Sequence, residues 1–151
     1  IISHSSTMNK HLVSSIDNCH IITLEKHHHE NGNLSVVESL NQLPFSISRV
    51  YYLYDVPGGE ERGGHSHHEC FEFIVAVSGS FDIEINDGVK SKTISLNRSN
   101  IGLLVEPGIW RVLNNFSSGS VCLVIASEKY NEADYVRNFD DFLELTKSKH
   151  K

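Results

Sequence analysis

The chain has 151 residues, 39% of them hydrophobic and 21% charged, with a net charge of −6. This size predicts one domain that buries about 70% of its unfolded surface, and the absence of a basic patch argues against nucleic acid as a partner. No apolar run approaches the roughly 18–20 residues of a membrane span, and the N-terminus carries no apolar signal core.

Residues 1–15 (IISHSSTMNKHLVSS) are polar and aperiodic. They predict a flexible N-terminal segment ahead of a single domain over 16–151. Cys19–Glu25 is a short β-branched run and predicts a strand. The histidines of His27–Gly32 (HHHENG) predict a solvated loop, with Asn31-Gly32 as a turn. Leu34–Glu38 predicts another short strand. Phe45–Asp55 (FSISRVYYLYD) is rich in Val, Ile and Tyr and predicts a strand on which Tyr51 and Tyr52 face opposite sides.

Pro57-Gly58-Gly59 turns the chain into Gly59–Gly79, GEERGGHSHHECFEFIVAVSG. Its apolar part, Phe71–Val77, reads as core strand. Ser80–Asn86 and Lys90–Leu96 flank Asn86-Asp87-Gly88, a hairpin signal. Ile101–Val105, Ile109–Asn114 and Val121–Ser127 complete the strands. Short strands with turns every 8–12 residues mean an antiparallel sandwich or barrel. In the tail, Glu132–Lys147 spaces Ala133, Val136, Phe139, Phe142, Leu143 and Leu145 by mainly three and four. That spacing predicts one amphipathic helix or two short ones. Cys19, Cys70 and Cys122 are odd in number and widely spaced, with no disulfide framework. A reduced, cytoplasmic protein is expected.

His65, His67, His68, Glu69 and Glu72 fall within eight residues. On a strand, His65 and His67 share a face and His68 points the other way. Glu72 would point away from His65 unless a bulge or turn intervenes. The spacing Gly59-x5-His65-x-His67-x4-Glu72-x6-Gly79 resembles the first motif of the cupin superfamily. Gly102-x4-Pro107-Gly108, then Trp110-Arg111-x3-Asn115, resembles an altered second motif. The resemblance implies an all-β fold: a cupin-type double-stranded β-helix, or jelly-roll barrel, with a short C-terminal helical segment. In metal-binding cupins a ligand histidine falls at Arg111, and an arginine cannot ligate. Two histidines and Glu72 would remain as a facial triad for iron. The other reading is a metal-free pocket in which the histidines do acid–base work.

Arg49-Val50-Tyr51-Tyr52, Arg62-Gly63-Gly64-His65-Ser66-His67, Gly108-Ile109-Trp110, Asn115-Phe116-Ser117 and Tyr130–Arg137 look like the dTDP-sugar 3,4-ketoisomerases of the WxcM-like family. The similarity runs from about Ile21 to Leu145. It implies conversion of dTDP-4-keto-6-deoxyglucose to a 3-keto sugar for bacterial surface glycans. It implies no metal or organic cofactor, and homodimers that exchange N-terminal strands. On this reading His65 is the main base, His67 its partner, and Tyr51 a hydrogen-bond donor to the developing oxyanion. Arg49 and Arg62 suit a diphosphate, Trp110 a thymine ring, and Glu72, Arg111 and Asn115 complete the candidate substrate-binding set. The chain departs from the family at Asn31, where arginine is usual, at Glu72, where glutamine is frequent, and at Arg111, where histidine is common. An ionised Glu72 beside two histidines would raise their pKa values. A metal-dependent cupin and a non-catalytic sugar-nucleotide-binding cupin are the competing readings.

Overall fold

A computed structural model describes residues 14–149 of the chain. The strands are β1 (His20–Thr23), β2 (His27–His29), β3 (Gly32–Leu34), β4 (Arg49–Leu53), β5 (Arg62–His67) and β6 (Glu72–Ser78), then β7 (Phe81–Asn86), β8 (Ser91–Leu96), β9 (Ile101–Val105), β10 (Trp110–Asn114), β11 (Val121–Ala126) and β12 (Tyr135–Val136). One helix, α1 (Phe139–Lys149), closes the described chain. Two antiparallel five-stranded sheets, ordered β1-β9-β6-β11-β4 and β12-β5-β10-β7-β8, face each other as a jelly roll.

Alternation in the sequence builds this directly. In β7, Phe81, Ile83 and Ile85 point inward and are buried, while Asp82, Glu84 and Asn86 lean outward. They meet Ile74, Leu103, Leu113 and Val124 in the barrel core, each such side chain contributing about 1.5–3 kcal/mol by burial. Strand β6 is apolar on both faces for a reason. Its inner face packs on the barrel core, and its outer residues Phe73 and Val75 pack under Leu43 and Phe45 of the 35–48 crossing. Val77, expected in the core, lies beyond that cover and is 40% exposed.

The hairpin at Asp87 also anchors the start of the domain. The Asp87 carboxylate accepts from the N–H groups of Val89, Lys90 and Ile16. Ser14 donates to the Pro107 carbonyl, so residues 14 and 15 of the segment expected to be flexible are held on the barrel. The rest of that segment, residues 1–13, lies outside the described residues.

Three local expectations change. His27–His29 is a strand paired with Gly32–Leu34, because the Asn31-Gly32 turn closes a hairpin. Residues 35–38 are not strand; the chain leaves the sheet there to cross over its outer face. The tail is not one continuous helix: a 3₁₀ turn at Glu132–Asp134, capped by the Asn131 side chain, leads into β12, which pairs with β5. Only from Phe139 does α-helix form, with Asp140 and Asp141 in its first turn and Lys147 and Lys149 in its last, each favourable to the helix dipole.

Candidate active site

The pair Gly63-Gly64 shapes the site. β5 pairs with β10 so that Arg111 lies opposite His65 and Leu113 opposite Arg62, which leaves two β5 residues against one. This β-bulge resets the alternation. Arg62, three residues before His65, therefore lines the same cavity as His65 instead of the opposite face. Gly63 has φ +72°, and a Cβ there would run into the Arg111 guanidinium. Its carbonyl accepts from Arg111 Nη1 at 3.2 Å.

Glu72 reaches the histidines because the chain changes sheets between them. β5 ends at His67, residues 68–71 cross over, and β6 begins at Glu72 in the facing sheet. The turn that parity demanded is there. Arg111 donates through Nε to Glu72 Oε1 at 2.6 Å and through Nη2 to Oε2 at 3.0 Å. Tyr51 donates its hydroxyl to Glu72 Oε2 and accepts from Arg111 Nη2 at 2.7 Å. The Nε2 atoms of His65 and His67 lie 3.8 and 3.6 Å from Glu72 Oε1. Both are buried without a hydrogen-bond partner among the described residues.

The charges set the protonation states. Burial works against an ionised Glu72, but Arg111 outweighs it and holds the carboxyl well below its usual range. His65 is pushed down to about 4, first by burial and then by the Arg111 charge. Glu72 does pull the His65 pKa upward as expected, but burial, followed by the Arg111 charge, outweighs it. Burial raises Tyr51 above its usual range. Its one proton is committed to Glu72, so the expected oxyanion-donor role does not match this geometry.

Residues outside the HxH motif complete the site. Asp134 Oδ2 lies 2.9 Å from His67 Nδ1. The Tyr135 ring packs on His65 and His67, with centroids 4.9 and 4.3 Å away. Arg137 covers Tyr135 at 4.2 Å. A cavity of about 330 Å³ opens above, walled by Arg49, Tyr51, Arg62, His65, Tyr130, Tyr135 and Arg137. Arg49 donates to the Tyr135 hydroxyl at 3.1 Å, while its buried Nε and Nη1 have no partner among the described residues. Sequence reasoning missed Tyr130, Asp134, Tyr135 and Arg137 as site residues, because the three-and-four spacing of the tail suggested a helix. The Asn131 cap gives no warning either, since an N-cap asparagine is itself a helix-start signal.

Two candidates fall elsewhere. Trp110 packs on Phe139 and Phe142 of α1, at 5.2 and 5.6 Å, and does not line the cavity. Its strand parity differs from that of Arg111, which points inward. Asn115 sits at the exposed turn after β10 with φ +55° and bonds Asp82 at 3.0 Å. Asn31 lies in the exposed β2–β3 turn, and His68 is exposed as parity predicts.

His65, His67 and Glu72 can bring one ligand atom each within 4.8 Å of one another. The donor set nonetheless does not fit a divalent cation. Arg111 occupies both Glu72 oxygens, and a metal at Oε1 would stand beside a guanidinium in a buried site where like charges repel strongly.

The family profile for FdtA, WxcM-like, C-terminal, matches residues 17–147. The chain is 38% identical over 122 residues to a TDP-4-oxo-6-deoxy-alpha-D-glucose-3,4-oxoisomerase of Aneurinibacillus thermoaerophilus, covering 81% of this chain and 88% of that relative. It resembles the crystal structure of a 3,4-ketoisomerase from Helicobacter canadensis with a TM-score of 0.84 and 39% identity, over 86% of this chain and 98% of the other. A histidine-to-asparagine variant of QdtA, a 3,4-ketoisomerase from Thermoanaerobacterium thermosaccharolyticum, was crystallised in complex with TDP-4-keto-6-deoxyglucose. It matches with a TM-score of 0.85 and 34% identity, over 87% of this chain and 95% of that one.

Proposed function

The chain belongs to the FdtA, WxcM-like C-terminal family, and from that premise we propose that it is a dTDP-sugar 3,4-ketoisomerase. It converts dTDP-4-keto-6-deoxyglucose to a dTDP-3-keto-6-deoxyhexose. The observation that carries this reading is the pair of buried imidazoles, His65 and His67, with unpartnered Nε2 atoms under a cation-lined cavity.

The reaction needs what this site holds. A C4 ketone acidifies the C3 proton. A base takes that proton while O4 gains one, giving an enediol; the C3 hydroxyl then gives up its proton and one is returned to C4 as the carbonyl settles at C3. With its pKa near 4, His65 is neutral at pH 7 and free to accept. It also walls the cavity, so it is the group that touches the sugar. His67, one layer below, is its partner in the transfer. Arg49 and Arg62 receive the diphosphate; the unpartnered Nε and Nη1 of Arg49 support an anionic ligand there. Tyr51 and Arg111 act by fixing Glu72.

The protein works as a homodimer that exchanges N-terminal strands. Two features support this. Among the described residues β1 is an edge strand paired with β9 alone, and the β2–β3 hairpin is exposed along both strands. The outer face of edge strand β4 also leaves Val50 and Tyr52 more than half exposed. Light scattering should return about twice the chain mass; a monomer would contradict the exchange. The compartment we assign is the cytoplasm, in keeping with three free buried thiols at Cys19, Cys70 and Cys122. No helix among the described residues is long and apolar enough to cross a membrane.

The test is proton NMR of the protein with dTDP-4-keto-6-deoxyglucose in the presence of EDTA. A 3-keto product supports the reading. Turnover only after added Fe²⁺ or Mn²⁺ would move the assignment to a metal-dependent cupin. Binding without turnover under either condition would leave a sugar-nucleotide-binding protein.

A further inference from the structure

His67 is gripped from outside the barrel. The 131–136 segment lies along β5, with Tyr135 opposite His67 and Val136 opposite Ser66. Asp134, at its start, is locked by its own main chain: its N–H donates to the Asn131 carbonyl and its carbonyl accepts from His68. Its carboxylate is used on both sides. Oδ1 accepts from the Glu69 N–H at 2.7 Å, and Oδ2 faces His67 Nδ1 at 2.9 Å. The Tyr135 ring crowds the His67 ring, with centroids 4.3 Å apart and planes tilted by 57°, and so resists its turning.

An ionised carboxylate only accepts. Nδ1 of His67 must therefore carry the hydrogen, which leaves the lone pair of the neutral ring on Nε2. Nε2 is the atom aimed inward, 3.6 Å from Glu72 Oε1 and towards His65. We infer that Asp134 is a positioning residue that fixes His67 in the Nδ1–H tautomer, so that its Nε2 can exchange protons with the reacting centre through His65. The inference rests on the isomerase reading. Asp134 does not wall the cavity and does not touch the sugar.

Asp134→Asn is a sharp probe because the Glu69 N–H fixes which way the new amide lies. The amide oxygen stays on that N–H, and the NH₂ then faces His67 Nδ1. A donor there forces the hydrogen onto Nε2 and removes the lone pair from the reacting side. The expected result is a kcat lower by about 100-fold or more, with KM within about threefold and unchanged dTDP binding. Asp134→Glu should restore part of the rate. ¹⁵N NMR of histidine-labelled protein, with His67 assigned by His67→Asn, should show Nδ1–H in the wild type and Nε2–H in Asp134→Asn.

A kcat within threefold of wild type in Asp134→Asn would overturn the inference. So would an Nε2–H tautomer of His67 in the wild type, a measurement that decides the matter even if the variant does not fold. A wild-type protein without isomerase activity counts against the isomerase reading instead, and the wild-type tautomer then still tells whether Asp134 holds His67 as described.

Discussion

At the scale of single residues, the site is governed by one buried charge pair. Burial, and after it the Arg111 charge, keeps the His65 ring unprotonated against the pull of the ionised Glu72. A rate limited by neutral His65 should hold level from neutral pH downwards and fall only towards pH 4, whereas an unshifted histidine would begin to fail near 6.5. A pH profile of kcat/KM checks this. Stability follows with the same sign. The unfolded chain binds a proton at His65 between pH 6.5 and 4 that the folded one does not, so this contribution is full above 6.5 and is lost as pH falls through that window, by up to about 3 kcal/mol. Arg111→Met leaves Glu72 charged, buried and unpaired, and should cost about 3–5 kcal/mol in urea unfolding. Glu72→Met added to it should recover part of that loss. The HxH pair, Arg49 and Arg62 are legible in the sequence because each sits in a strand of clear parity or beside a glycine turn. Asp134 is not, since its bond to His67 joins positions 67 residues apart.

At the scale of elements, the bulge in β5 and the strap after Asn131 decide where the functional groups point. Gly63→Ala would place a methyl group against the Arg111 guanidinium at φ +72°. It should lower kcat by at least tenfold, read in a steady-state assay, while the sheet signal in circular dichroism persists. Trp110 belongs to a different element contact: it holds α1 to the barrel. Trp110→Ala should cost about 2 kcal/mol in thermal or urea unfolding and leave KM for the sugar nucleotide unchanged; a raised KM would return Trp110 to the nucleotide site. Strands β4 and β6 to β11 are readable from apolar runs and turn residues, whereas β5 carries no apolar pattern because its buried residues are the polar ones of the site. In the tail the two short helical segments are readable but β12 between them is not, because Ala133 and Val136 are apolar residues at the same interval as in a helix.

At the scale of the molecule, the jelly roll brings two strand faces together so that groups from β4, β5, β6, β10 and β12 converge at one end. The cupin-type barrel is legible in the sequence through its glycine and histidine spacing. What spacing alone does not reveal is that the carboxylate, the guanidinium and both imidazoles form one buried cluster. That requires the sheet change between His67 and Glu72. On the proposed mechanism this cluster carries out the proton transfer from C3 to C4 of a 4-keto sugar. The most direct test is NMR of the reaction with dTDP-4-keto-6-deoxyglucose in deuterated water, run beside His65→Asn and His67→Asn. The wild type should give a 3-keto product carrying deuterium at C4, and the two variants should lose both product and exchange. Product formation at wild-type rate by either variant would contradict that mechanism.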